Sequence, residues 1–260
     1  MPKSWLKYEI DFSFFEKMTP QLAHFIGFWF ADGNLYKNRI GFSINEKDKE
    51  FLNSLVSQFS NSLSITYKNR PKEYKWEVEQ LKLANILRDK YSFIPKKSLI
   101  CKFPTYIDKD HLKYFLQGYF EGDGWITTRD HNAGFATGSL DFKNGLIDKL
   151  SNFEPKVVYN KTWFSVVLTV KNSLKFLSWI YDQNETIKMK RKYDLYLDIK
   201  KQDDFNSKFS TIWGFSKIVG RPNQYLYTRL EKNPISPDRV NKNGYKYYNL
   251  NKLQTWYNSD

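Results

Sequence analysis

Two stretches of this chain repeat one another: Phe25-Ile26-Gly27-Phe28-Trp29-Phe30-Ala31-Asp32-Gly33 and, ninety-one positions later, Leu116-Gln117-Gly118-Tyr119-Phe120-Glu121-Gly122-Asp123-Gly124. Both are mostly apolar over about two helical turns, which predicts buried helices. Each carries two small residues four positions apart, Gly27 with Ala31 and Gly118 with Gly122. Small residues at that spacing lie on one helix face and let two backbones come close. The repeat therefore predicts two motif helices packed against each other about a pseudo-two-fold axis.

Each motif ends in an aspartate followed by a glycine, Asp32-Gly33 and Asp123-Gly124. The glycines are expected to end the helices as left-handed caps. Packed helices would then place the two carboxylates side by side, at the negative ends of both helix dipoles. Stability alone disfavours that arrangement, whereas two carboxylates suit a hard cation such as Mg²⁺, or Mn²⁺ in its place. The alternative, two unrelated core helices with capping Asp-Gly turns, is weakened by the length and pairing of the match.

The sequence after each motif follows the same order of predicted elements. The first half has a strand at 39–45, a helix at 48–59, strands at 63–68 and 74–79, and a helix at 81–90. The second half has a strand at 133–137, a helix at 141–153, strands at 156–160 and 162–170, and a helix at 173–182. Alternating apolar residues support the strands. We therefore predict an α+β fold of two pseudo-symmetric αββαββα halves, 1–110 and 111–200, with two antiparallel sheets side by side.

Each half closes with a basic pair, Lys96-Lys97 in the first and Arg191-Lys192 in the second. Lys97 follows the first motif aspartate by 97 − 32 = 65 positions, and Lys192 follows the second by 192 − 123 = 69. A solvated basic surface would explain either pair alone. The nearly equal spacing from the duplicated acids favours an active-site role for Lys97 and Lys192.

Composition favours a polyanionic partner. The chain of 260 residues has 41 Lys and Arg against 28 Asp and Glu, a net charge of +13, which points to nucleic acid before membrane. A single cysteine, Cys101, excludes a disulfide framework and a cysteine-based zinc site. With only His24, His111 and His131, a multi-histidine metal centre is not expected. The longest apolar run is too short for a bilayer, and the N-terminus lacks a signal-peptide core. We expect an intracellular protein, in the cytoplasm, nucleoid or organelle matrix, that is not secreted.

Over residues 12–200 these motifs resemble the LAGLIDADG homing endonucleases, in the monomeric class with two motifs. The resemblance implies a saddle of two β-sheets that binds a long double-stranded DNA site, and metal-dependent cleavage of both strands. It implies that Asp32 and Asp123 are metal ligands, assisted by the carbonyls of Ala31 and Gly122. It also implies that Lys97 and Lys192 lie near the scissile phosphates. The candidate DNA contacts in the two halves are Arg39, Ser43, Asn45, Lys68, Arg70, Arg129 and Lys161.

The family often uses a polar residue at the end of an early strand to orient water. Glu46 is the candidate in the first half, and Ser139 stands near the matching place in the second. The two half-sites are therefore not expected to be chemically identical. Phe30 departs from the polar residue of the family motif, and this does not affect the metal-binding residues.

A polar segment at 201–210, which we interpret as a linker, precedes the C-terminal fifty residues. The amino-acid composition changes after it. Residues 211–260 carry eight Lys and Arg against three Asp and Glu. Predicted helices at 211–219 and 224–232, a hairpin around 241–244 and a last helix from about 251 resemble a small helix-turn-helix with a wing. A helical cap packed on the core is the alternative. The resemblance implies DNA contacts by the following residues: Arg221, Asn223, Gln224, Tyr227 and Arg229 in the major groove, and Lys242 and Lys246 on the wing.

The sequence thus predicts a monomeric, site-specific DNA endonuclease with an appended DNA-binding module. Two other classes share the scaffold: an RNA maturase that binds intron RNA, and a non-catalytic DNA-binding regulator. Neither needs the acids, so the presence of both Asp32 and Asp123 favours the endonuclease, and a dual endonuclease-maturase stays open.

Overall fold

The chain divides into two compact units, with the boundary between Tyr196 and Leu197. The structure, a computed structural model, describes residues 9–61 and 65–259. The N-terminal residues 1–8, in which no signal-peptide core was predicted, lie outside these ranges. Residues 63 and 64, the start of a predicted strand, also lie outside them. No helix within the described ranges is long and apolar enough to cross a membrane.

The first half of the larger unit has the predicted order of elements. After a 3₁₀ turn, Phe12–Phe15, it comprises α1 (Pro20–Asp32), β1 (Gly33–Tyr36), β2 (Arg39–Asn45), a 3₁₀ turn (Glu46–Asp48), α2 (Lys49–Val56), β3 (Ile65–Lys68), β4 (Glu73–Glu79) and α3 (Leu81–Tyr91). Thr19 starts α1 because its hydroxyl accepts the Leu22 N–H at 3.1 Å, and Pro20 occupies the first helical position. The strands form an antiparallel sheet in the order β1-β2-β4-β3.

The second half repeats this arrangement. A 3₁₀ turn, Lys97–Leu99, leads to α4 (Leu112–Asp123), β5 (Gly124–Ile126), β6 (Ala133–Thr137), α5 (Leu140–Lys149), β7 (Lys156–Asn160), β8 (Trp163–Leu168), α6 (Val170–Tyr181) and α7 (Lys190–Lys208). Its antiparallel sheet has the matching order β5-β6-β8-β7. Gly33 pairs with Phe42 and Gly124 with Phe135, so the two sheets share one register. The predicted α+β fold of two pseudo-symmetric halves is confirmed.

The two motif helices, α1 and α4, touch backbone to backbone. A Cβ on Gly27 would lie 1.9 Å from the carbonyl oxygen of Phe115, and one on Gly118 would lie 2.0 Å from that of His24. At the ends of the helices, a Cβ on Gly122 would lie 2.2 Å from the Cβ of Ala31. The small residues are therefore required by the helix contact, as the sequence predicted.

The prediction of left-handed glycine caps was wrong. Gly33 and Gly124 have extended backbones, with φ of −73° and −82°, because each helix passes directly into a strand. Glycine is needed there for space instead. A Cβ on Gly33 would lie 2.1 Å from the Trp29 indole, and one on Gly124 would lie 2.3 Å from the Phe120 ring.

The smaller unit has its own core. It contains β9 (Phe209–Ser210), α8 (Ile212–Val219), α9 (Asn223–Lys232), β10 (Arg239–Val240), β11 (Lys246–Asn249) and α10 (Leu250–Asn258). Gly220, with φ of 63°, provides the left-handed turn that ends α8. The buried residues are Ile212, Phe215, Leu226, Tyr248, Leu253 and Trp256. The predicted helices and hairpin are all present, each within about two residues of its expected bounds.

The prediction of a linker at 201–210 was wrong, because α7 continues as helix through Lys208. This part of α7 has a single apolar residue, Phe205, so no apolar period marks it. Side-chain pairs one turn apart support it instead. Lys208 reaches Asp204 at 2.8 Å, and Gln202 reaches Asn206 at 2.9 Å.

Candidate active site

The two motif aspartates lie together where α1 and α4 end. A Cβ built on Gly122 would be 3.1 Å from the Asp32 carboxylate, so Asp32 lies against the residue that precedes Asp123. Burial raises the pKa of Asp32. Burial and then the charge of Asp32 raise the pKa of Asp123 to about 6. The protein thus holds two carboxylates in a place where both are costly to ionise.

Two buried lysines accompany the aspartates. Lys97 is 8% exposed, and its Nζ donates to the carbonyl of Ala31 at 2.7 Å. Lys192 is 3% exposed, and its Nζ donates to the carbonyls of Phe120, Gly122 and Gly124 at 2.7, 3.1 and 2.6 Å. Burial lowers the pKa of both, that of Lys192 to about 8. Neither lysine is a solvated surface charge, which excludes the alternative left open by the sequence.

The acids and lysines interact across the two halves. Burial is the largest influence on both aspartates, and among the positive charges Lys192 lowers the pKa of Asp32 most, whereas Lys97 lowers that of Asp123 most. Consistently, Asp123 acts more strongly than Asp32 on Lys97. The geometry also brings each acid near the lysine of the other half, because Lys97 and Asp123 line one cavity and Asp32 lies against Gly122, whose carbonyl accepts from Lys192.

The donor atoms fit a hard divalent cation. The carboxylates of Asp32 and Asp123 and the carbonyls of Ala31 and Gly122 are all oxygens, as Mg²⁺ and Mn²⁺ prefer. Within residues 9–61 and 65–259 there is no group of three or more His, Cys, Asp or Glu side chains that could hold a metal. A cation here would therefore take its remaining ligands from carbonyls, water or substrate, which is how Mg²⁺ is usually bound.

The predicted water-orienting residues have other partners. Glu46 accepts a hydrogen bond from the Tyr67 hydroxyl at 3.0 Å and lies 3.9 Å from the Lys72 ammonium. Ser139 caps α5 by accepting the Phe142 N–H at 3.3 Å, and it donates to the carbonyl of Cys101 at 2.5 Å. These contacts hold local structure and give the water-orienting role no support.

Next to Asp123 the structure contains a cavity of about 200 Å³ that the sequence did not indicate. Lys97, Tyr119 and Thr137 are among the residues that line it. Tyr119 is buried and its hydroxyl donates to the carbonyl of Ala136 at 2.9 Å. The matching position in the first motif is Phe28, so this hydroxyl has no equivalent in the other half.

Near Asp32 lies an ion pair that sequence reasoning also missed. The Nε of Arg191 donates to both carboxylate oxygens of Asp48, at 3.1 and 2.9 Å. The Asp48 side chain is 4% exposed and that of Arg191 is 50% exposed. The two residues are 143 positions apart, and only the basic pair at 191–192 hinted at one of them.

A buried polar contact in the interface between α1 and α4 departs from the pseudo-symmetry. The Nε2 of His24 lies 2.6 Å from the Glu121 carboxylate, and both side chains are fully buried. Glu121 also accepts the backbone N–H of Met189 at 3.0 Å. The pair that the pseudo-two-fold axis relates to His24 and Glu121 is Phe115 and Phe30, whose rings contact each other with centroids 5.8 Å apart. His24 is thus a buried core histidine.

The predicted DNA contacts of the first sheet are partly neutralised by acids. Arg39 lies 3.6 Å from Glu79, and Lys68 lies 3.2 Å from Glu73. Arg39 faces Glu79 and Lys68 faces Glu73 in the strand register, so these pairs lie on one face of the sheet. Ser43 is half-buried on the same strand as Arg39, and the side chain of Asn45 accepts the Lys47 N–H at 3.1 Å. The remaining candidates, all exposed, are Arg70, Arg129 and Lys161.

In the smaller unit the candidates separate into two groups. Gln224, Tyr227, Lys242 and Lys246 are exposed. The remaining three have partners within the unit: Arg221 donates to the Tyr257 hydroxyl at 3.3 Å, Asn223 accepts from Ser216, and Arg229 donates to the carbonyl of Trp256 at 3.2 Å. The prediction that Arg229 faces a DNA groove is therefore wrong, because its guanidinium binds the C-terminal end of α10.

Comparisons with known proteins agree with this architecture. Residues 110–181 match the family model described as a LAGLIDADG-like domain. An uncharacterized protein of Methanocaldococcus jannaschii is 27% identical over 119 residues, and the match spans 42% of this chain and 41% of that protein. The chain thus spans about two fifths of this curated relative's length.

Solved structures with this fold include two homing endonucleases. I-SmaMI bound to cleaved DNA has a TM-score of 0.53 at 18% identity, covering 84% of this chain and 99% of that one. I-AabMI bound to uncleaved DNA has a TM-score of 0.52 at 11% identity, covering 73% and 93%. The chain is therefore similar to a LAGLIDADG-like domain over residues 110–181 and has the fold of I-SmaMI and I-AabMI.

Proposed function

We propose that this protein is a site-specific DNA endonuclease that breaks both strands of a long target by phosphodiester hydrolysis. The observation that carries the proposal is the proximity of two half-buried aspartates to two buried lysines, Asp32 to Lys192 and Asp123 to Lys97. A chain that only bound nucleic acid, as a regulator or a maturase, would gain nothing from keeping four charges in so costly a place.

The side chains divide the chemistry between them. Mg²⁺ or Mn²⁺, held by the carboxylates of Asp32 and Asp123 with the carbonyls of Ala31 and Gly122, would supply Lewis acidity and a water of lowered pKa. Lys97 and Lys192 are pre-positioned donors that stabilise the charge developing on a phosphate oxygen or on the leaving oxygen. Because both are buried beside carbonyls before DNA arrives, little reorganisation is needed when a phosphate replaces those carbonyls as acceptor.

Binding of DNA is proposed to use the two sheets and the smaller unit. The net charge of +13 supports a phosphate backbone as the partner, and the protein is proposed to act as an intracellular monomer. In the smaller unit, α9 presents the exposed side chains of Gln224 and Tyr227, with Lys242 and Lys246 exposed near the hairpin. These exposed side chains support the proposal that α9 reads a major groove and that the hairpin is a basic wing. The proposal extends to intron RNA only if a maturase activity accompanies cleavage.

Cleavage of a randomised duplex library tests the main proposal, with the ends of cut molecules sequenced. Wild-type protein in Mg²⁺ should cut a single consensus on both strands. Asp32→Asn and Asp123→Asn should each bind that site and leave it intact. Asp89→Asn, at an exposed aspartate of α3, is the matched control and should cut normally. Cutting by either motif variant at the wild-type rate would exclude the assignment.

The smaller unit is tested in the full chain by Gln224→Ala combined with Tyr227→Ala. We expect a shorter footprint at one flank of the target and unchanged cutting chemistry at saturating protein. Gln254→Ala, an exposed position on α10, is the control. An unchanged footprint would show that α9 does not read DNA.

A further inference from the structure

We infer that Arg191 is an additional phosphate-binding residue for one DNA strand only, the strand served by Asp32 and Lys192, and that Asp48 is its positioning residue. This inference rests on the proposed endonuclease function. It concerns a residue outside the acid and lysine pairs already described, and it predicts unequal treatment of the two strands.

The geometry leaves most of Arg191 free to bind a ligand. Its Nε donates to both oxygens of Asp48, and no other hydrogen bond of Arg191 is found within the described part of the chain. An arginine carries five N–H donors in a planar fork, so the donors on its two terminal nitrogens are left for another partner. Half of the Arg191 side chain is exposed, although the carboxylate that holds it is buried. This is how a protein presents a guanidinium, fixed at its base, to a ligand.

The location of Arg191 places it at one half-site. It directly precedes Lys192 on α7, and the Lys192 Nζ donates to the carbonyl of Gly122, the residue against which the Asp32 carboxylate lies. Asp48 belongs to the first half, in the turn that leads from β2 into α2. A phosphate bound near Asp32 and Lys192 therefore lies within the field of the Arg191 guanidinium, which binds phosphate oxygens through two parallel N–H groups.

The other half-site lacks both members of this pair. Lys96 precedes Lys97 as Arg191 precedes Lys192, and it is exposed, with a left-handed backbone at φ of 55°. None of the ion pairs found in residues 9–61 and 65–259 involves Lys96. Asp48 is the residue before α2, and its equivalent before α5 is the uncharged Ser139. The strand served by Asp123 and Lys97 is therefore cut without an oriented guanidinium.

The test resolves cleavage by strand, using the consensus target with a different label at each 5′ end. Arg191→Met should slow one strand by about 10²-fold, the loss typical of a pre-positioned electrostatic donor. The other strand should stay within a few-fold of wild type, so nicked DNA accumulates. The slowed strand should be the one that Lys192→Met slows. Asp48→Asn should show a weaker defect on the same strand, and Lys96→Met, the matched control, should affect neither.

Two further measurements separate positioning from folding and from the proposed function. The double variant Asp48→Asn with Arg191→Met buries no unpaired charge, and it should fold as wild type while keeping the single-strand defect. Binding to uncut DNA across a salt series, without cleavage, should lose a slope of about 0.9 in Arg191→Met and nothing in Lys96→Met. Equal slowing of both strands, or an unchanged slope, would overturn the role of Arg191. Absence of any cleavage by wild-type protein would overturn the endonuclease proposal, and the salt slope would still decide whether Arg191 binds a phosphate.

Discussion

Asp123→Asn should stabilise the metal-free protein at neutral pH while it abolishes cleavage. Burial and the neighbouring Asp32 raise the pKa of Asp123 from 3.8 to about 6 in the folded chain. A carboxyl whose folded pKa is raised binds its proton more tightly when folded, so folding is penalised once the group ionises. The penalty is absent below the unfolded pKa and fully present above pH 6. At 1.36 kcal/mol per pKa unit it amounts to roughly 3 kcal/mol, which asparagine avoids because it does not titrate.

The assay is thermal unfolding in EDTA at pH 4 and pH 7.5, followed by tryptophan fluorescence. Above pH 6 the variant should melt roughly 6–12 °C higher than wild type, and at pH 4 the two should converge. Mg²⁺ should raise the melting temperature of wild type and have little effect on the variant. Asp130→Asn, at an exposed position, should change neither value. A variant that melts at or below the wild-type temperature in EDTA at pH 7.5 would refute the claim that Asp123 is held at a cost.

Three further predictions follow from the same geometry. Burial lowers the pKa of Lys192 to about 8, so kcat/KM should fall as pH rises above 8, and Lys192→Arg should move that limb upward if the variant cuts at all. Glu73→Gln with Glu79→Gln frees Lys68 and Arg39 from their ion pairs, so binding to non-specific DNA should tighten and its salt slope should steepen by up to about 0.9 per freed cation; an unchanged slope would show that this sheet face does not meet DNA. Gly118→Ala places a Cβ 2.0 Å from a backbone oxygen of α1, so urea unfolding should show a loss of roughly 3 kcal/mol, and a loss below about 0.5 kcal/mol would mean that the helices can separate.

The repeat predicted the fold because it specifies both the individual helices and strands and the packing of the two motif helices. Small residues one turn apart determine how α1 and α4 pack, and alternation determines the strands, so the order of elements was accessible from sequence. The glycines after the aspartates misled because glycine serves two needs, positive φ and close approach, and a sequence does not distinguish them. At Gly33 the need is close approach to Trp29. The helical segment at 201–208 was missed because its stability comes from polar pairs and leaves no apolar period.

The candidate site was predictable in its members and less so in its pairings. Nearly equal spacing from the motif aspartates identified Lys97 and Lys192 as candidates, and both are buried against the motif carbonyls. Which lysine acts on which acid depends on how α4 crosses α1, and no spacing along one chain reports that. The contact of Asp48 with Arg191 joins residues 143 positions apart and has no counterpart in the other half, so the repeat could not reveal it.

The buried contact between His24 and Glu121 has a consequence for how halves from different chains could combine. Two copies of the second half, joined through α4, would set Glu121 against Phe115 on both sides of the axis, and two copies of the first would set His24 against Phe30. The pairing of two second halves buries two Glu121 carboxylates without their imidazole partner, and each loss of a buried partner costs roughly 3–5 kcal/mol. Only the mixed pairing within one chain satisfies both groups. The pair thereby disfavours exchange of halves between chains, so that each chain keeps one motif aspartate, one lysine and one sheet from each half.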